Sequence, residues 1–174
     1  MIAIVRRCVA SCAGFLVASA VCVPVVASAS TPTSATAACS VVRAADVQHA
    51  LGVEASKVNG PSVVRPGTCT WNSGDPTCVM RSLSVELRRG SSAVVNYAHV
   101  QAEALSMKPV FGVGDAAFTS IEALPFGAAV MISHLDARRG DTTLHLTLLG
   151  RLAPDGSVDL LRQVATSAMA PTTR

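Results

Sequence analysis

Val130-Met-Ile-Ser-His-Leu-Asp-Ala137, Arg138-Arg-Gly-Asp141 and Thr142-Thr-Leu-His-Leu-Thr-Leu-Leu149 form the stretch on which the fold turns. Leu144, Leu146 and Leu148 alternate with Thr143, His145 and Thr147. A period of two sends successive side chains to opposite faces of an extended chain, so this run reads as a half-buried strand. The run before it reads as a second strand, and Arg138-Arg-Gly-Asp141 as the connection of a β-hairpin.

The loop decides which residues meet. With Arg139-Gly140 as a two-residue loop, His134 and His145 face each other directly; a three-residue loop shifts the pairing and separates their faces. In the first register Asp136 lies on the same face, which makes His134, Asp136 and His145 candidate metal ligands. The same residues also suit the polar outer face of an antiparallel sheet. That is the reading adopted, with no metal and no cofactor expected.

Outward from the hairpin, residues 116–121 read as a strand. Residues 92–105 read as the longest helix, with Val94, Tyr97, Ala98, Gln101 and Leu105 on one stripe. Segments 68–72 and 82–88 alternate as strands, with Leu83, Val85 and Leu87 opposite Ser84, Glu86 and Arg88. Ser73-Gly-Asp-Pro76 and Asn59-Gly-Pro61 read as turns. Residues 44–52 form a short helix with Val47, Ala50 and Leu51 inward and Gly52 just past its end. The last helix runs from about Asp159 to Met169, capped by Ser157 and stopped by Pro171. Strands in adjacent antiparallel pairs, with helices between groups, predict an α+β fold: an antiparallel sheet with about three helices packed on it.

The N-terminus gives the compartment. Arg6 and Arg7 precede an apolar run with small residues, and Ala27-Ser-Ala29 supplies the small residues of a cleavage site. Together they predict a secretory signal peptide over residues 1–29. Ser11, Gly14, Ser19 and Pro24 interrupt the run too often for a spanning anchor. Val21 before Cys22 fills the position that must be small for lipid attachment, so no stable membrane anchor is expected after cleavage. Residues 30–38 read as a disordered lead-in, and 39–170 as a single domain. The predicted location is secreted or periplasmic.

Composition excludes several activities. Without Arg6 and Arg7, 12 basic residues stand against 11 acidic ones, and no basic run exceeds two residues. No nucleic-acid partner is therefore expected. The mature aromatics, Trp71, Tyr97, Phe111, Phe118 and Phe126, are too few for a stacking platform. Trp71 reads as a core residue. Gly112 and Gly114 precede a strand with no lysine, so they read as a tight turn rather than a phosphate loop. No serine-hydrolase elbow or zinc-protease motif is present. Asp115, Asp136 and Asp141 could be paired as catalytic carboxylates, but turn chemistry is the reading preferred, and no catalytic residue is assigned.

The mature cysteines are Cys39, Cys69 and Cys78, too sparse for a zinc site. In an oxidising compartment a disulfide is expected, Cys39–Cys69 or Cys69–Cys78, with one thiol left over.

Cys39-Ser-Val-Val-Arg-Ala-Ala-Asp-Val-Gln-His-Ala-Leu-Gly52, Cys69-Thr-Trp71, Gly112-Val-Gly-Asp-Ala-Ala-Phe118 and Arg139-Gly-Asp-Thr-Thr-Leu144 follow in order. The set resembles a broad group of exported bacterial domains, many of them lipoproteins and most of unknown function. The resemblance spans most of the mature chain. It implies a Cys39–Cys69 disulfide, with Cys78 unpaired, and a non-enzymatic envelope or secreted protein. Arg43 departs from it, standing where a small hydroxyl residue caps the helix, and so does the missing lipidation cysteine. The function expected is that of a binding or interaction module for an envelope or extracellular protein or a small ligand. The alternatives are a carrier of a small apolar ligand and a hydrolase.

Overall fold

The structure is a computed structural model, and it describes residues 34–74, 81–103, 107–124 and 130–170. The signal segment and Cys78 lie outside the described residues. The elements run α1 (Ser34–Ser40), α2 (Ala44–Leu51), a 3-10 turn (Ala55–Lys57), β1 (Val58–Arg65), β2 (Thr68–Ser73) and β3 (Ser82–Arg89). Then come α3 (Ser91–Glu103), β4 (Lys108–Pro109), β5 (Ala116–Ala123), β6 (Met131–Arg139), β7 (Thr142–Gly150) and α4 (Pro154–Ala168). The strands form one seven-stranded sheet in the order β1-β2-β3-β7-β6-β5-β4, every neighbour antiparallel. The fold is α+β, with the helices on a purely antiparallel sheet.

The leucine alternation in β7 sets the layers. Leu144, Leu146 and Leu148 pair with Leu87, Val85 and Leu83 on β3 and with Ala137, Leu135 and Ser133 on β6. All of these but the polar Ser133 are buried in one cluster with Val47 and Leu51 of α2 and with Leu161, Val164 and Ala165 of α4. Each fully buried leucine or valine contributes roughly 1.5–3 kcal/mol. Trp71 joins this core, as expected. The opposite face carries Glu86, Asp136, His145 and Phe118, and α3 crosses it.

Cys39 and Cys69 form a disulfide, with 5.3 Å between their Cα atoms, tying the end of α1 to β2. The lead-in read as disordered is helical from Ser34, and Ala38 is fully buried. Ala38 joins the core cluster and Ala37 packs against it, a tertiary gain that composition does not report. Asn59-Gly-Pro61 is no turn between elements. It lies within β1, where the pairing register shifts between Asn59 and Ser62, the bulge expected of an edge strand that contains proline.

Two helix readings also change. α3 buries Ala93 and Tyr97, while Ala98 and Gln101 of the expected stripe are exposed. α4 starts at Pro154, with Ser157 inside its first turn rather than at the cap. Pro154 supplies the fixed φ favoured at a first helical position. The Ser157 hydroxyl donates to Pro154 O at 2.7 Å and lies 2.7 Å from Ser133 Oγ on β6. α2 ends as expected, at Gly52 with φ 64°. At its start Arg43 makes no cap hydrogen bond. Instead its guanidinium grips the buried Asp46 carboxylate at 2.8 and 3.0 Å, holding that carboxyl below its ordinary range. No helix among the described residues is long and apolar enough to cross a membrane.

Candidate functional site

The site lies where α3 crosses the polar face of β3, β7 and β6. Pairing aligns Glu86, His145 and Asp136 in one row across those strands. Neighbouring strands are about 4.8 Å apart, so Glu86 of β3 and two residues of the β6–β7 hairpin stand within one small ligand's span. Asn96, Tyr97 and Val100 of α3 roof a cavity of about 180 Å³ over this row, with Arg88 and Thr143 at its side.

The hairpin loop is Gly140-Asp141, because Arg139 pairs with Thr142. This is two residues, but one step later than the Arg139-Gly140 loop expected from sequence. His145 therefore faces Asp136 rather than His134, and His134 faces Thr147. A shift of this size moves the pairing by two and keeps the faces. The two imidazoles still stack, with ring centroids 5.4 Å apart and planes at 22°. Gly114 packs against this turn: a Cβ at that position would collide with the Arg138 carbonyl. The next amide, Asp115 N, donates to that carbonyl at 2.7 Å, and Asp115 Oδ2 accepts from Gly140 N at 2.7 Å. The Gly112–Asp115 motif is thus a clamp on the hairpin turn, and Asp115 is a turn residue.

His145 Nδ1 lies 2.7 Å from Asp136 Oδ1, and its Nε2 lies 3.2 Å from Thr147 Oγ1. Thr147 Oγ1 is also 3.1 Å from His134 Nδ1. A carboxylate only accepts, so Nδ1 of His145 is the protonated nitrogen. In the neutral ring Nε2 then accepts from the Thr147 hydroxyl, which accepts in turn from His134 Nδ1. Tautomers here follow from the network. Burial pushes the His134 imidazole below its ordinary pKa, and the neighbouring His145 adds to the effect. The three ligand candidates are brought to one face. However, among the described residues no three His, Cys, Asp or Glu side chains are arranged to hold a metal ion.

Glu86 and Tyr97 complete the cavity; the sequence reading placed one on a polar strand face and the other on a helix stripe, and took neither as a site residue. Glu86 is 8 % exposed, and its carboxylate is shared by Arg65 at 2.8 Å and Arg88 at 2.6 Å. Tyr97 packs on Phe118, ring centroids 5.3 Å apart, and its hydroxyl is buried with no hydrogen-bond partner among the described residues. Burial raises the phenol pKa, and the Asp136 charge raises it further, so the group stays an O–H donor. Tyr97 was legible as an inward helix residue; its orphaned hydroxyl was not. Comparison of the chain with known protein families, with curated proteins and with solved structures gave no match.

Proposed function

We propose that the protein is an exported, non-catalytic binding module, with the cavity beneath α3 as its small-ligand site. The Tyr97 hydroxyl carries this reading. A buried hydroxyl left unpaired costs about 1–3 kcal/mol, and phenylalanine would fill the same space without that cost. A polar ligand reaching it would convert the cost into affinity. Glu86 is taken up by Arg65 and Arg88, but Asp136 uses only Oδ1, on His145; its second oxygen suits a small molecule presenting an N–H donor, a primary amine or an amino acid. An apolar ligand would desolvate these groups without return, which disfavours the carrier alternative.

Asp136, His145 and Thr147 stand in the order of a nucleophilic relay. Two features favour a structural role instead. The Thr147 hydroxyl is shared with a second histidine. β7 is flanked on both sides by paired strands, so its amides serve the ladder and are not free to hold an oxyanion. The signal-peptide features and the disulfide support a secreted or periplasmic location.

Thermal melts of the oxidised protein with ethanolamine, putrescine and glycine test the site. Wild type should rise in Tm with at least one of them. Tyr97→Phe should melt higher than wild type without additive and lose that increment. No response from wild type, or the same increment in both proteins, overturns the proposal.

A further inference from the structure

The helix-covered face of the sheet opens at the hairpin end. By the period of two along β7, Thr142 shares the face of Leu144, Leu146 and Leu148. Pairing sets Arg89 of β3 and Arg139 of β6 on either side of it. Arg89 lies two residues past Leu87 and Arg139 two past Ala137, both core residues, so both arginine stems start from that same face. Arg89, Arg139 and Thr142 line a cleft of about 170 Å³ with Val41, Leu87 and Met169, where α4 ends. The cavity beneath α3 lies on the opposite face and shares none of these residues.

No carboxylate answers the two charges. Neither Arg89 nor Arg139 forms an ion pair or hydrogen bond among the described residues. Asp141, in the adjoining turn, accepts from Thr142 Oγ1 at 3.4 Å instead. The C-terminal end of α4 offers the equivalent of about half a negative charge, against two full positive ones. Like charges flanking one strand repel, and an anion seated between them is held by both. The floor is apolar: Leu87 and Met169 are each 4 % exposed, and Val41 packs against the core. A bare inorganic anion leaves that floor to water, whereas an anion with a hydrocarbon tail covers it. Guanidinium forks match the paired oxygens of a carboxylate.

We infer that this cleft binds a small amphiphilic carboxylate. Its head sits between Arg89 and Arg139 above Thr142, and its tail lies on Leu87 and Met169. Pockets for drug-sized ligands run to about 300–1,000 Å³, so the tail that fits here is a short one.

NMR titrations of the oxidised protein at constant ionic strength test this with hexanoate, acetate and hexan-1-ol. Hexanoate should saturate, with the largest shifts at the Thr142 and Met169 amides. Acetate lacks the tail and hexan-1-ol the charge, so each should bind at least about tenfold more weakly. Arg89→Met and Arg139→Met keep an apolar stem without the charge, and each should weaken hexanoate about tenfold. Arg89→Lys should lose less. Arg151→Met, at an exposed arginine past the far end of β7, should lose nothing. Absent saturation, shifts confined to α3, either reference compound binding as tightly as hexanoate, or an equal loss in Arg151→Met overturns the inference.

Discussion

His134 holds its place as a neutral ring. Burial and the adjacent His145 lower its pKa from an ordinary 6.5, so the unfolded chain binds a proton that the folded chain refuses. Stability then rises with pH wherever the unfolded state is the more protonated. Acidification through about 6.5 and down to the lowered folded value should therefore destabilise the protein. His134→Asn removes that titration, and its stability should change less over the same interval. Urea melts of both proteins at a series of pH values measure the difference. Parallel curves would show that His134 is not the group responsible.

Between α4 and the sheet, one hydrogen bond replaces what sequence reading took for a cap. Ser157 gives its only proton to Pro154 O, so Ser133 is the donor to Ser157 Oγ, and both serines are 1 % exposed. Ser157→Ala would strand the Ser133 hydroxyl and should cost about 1–3 kcal/mol. Removing both hydroxyls should cost less than the sum of the single changes. A double-mutant cycle from denaturant melts reads the coupling directly, and strict additivity would refute it.

The same elements show what the chain alone makes legible. β3, β7 and α2 were readable because each presents one apolar face with a clear period. The β6–β7 loop lies one step later than expected, and the contacts that meet it there, from Gly114 and Asp115, come from a segment distant in sequence. β1 has no buried face to impose alternation: all but its first residue are exposed. The Asp136–His145 face was half legible, since both residues lie on one hairpin. Glu86 and Tyr97 reach it from β3 and α3, and no local pattern announces such a meeting.

For the molecule as a whole, the Cys39–Cys69 bridge spans a sequence separation of 30. On the loop-entropy account it stabilises by roughly 3.5 kcal/mol. Reduction, or paired Cys39→Ser and Cys69→Ser substitution, should lower the denaturant midpoint to match, with little change in the slope. An unchanged midpoint would mean that α1 stays docked without the bond. The bridge joins the first described helix to the second strand of the sheet. Where thiols stay reduced, the same sequence lacks this latch, so part of its stability is set by the redox poise around it and not by its residues alone.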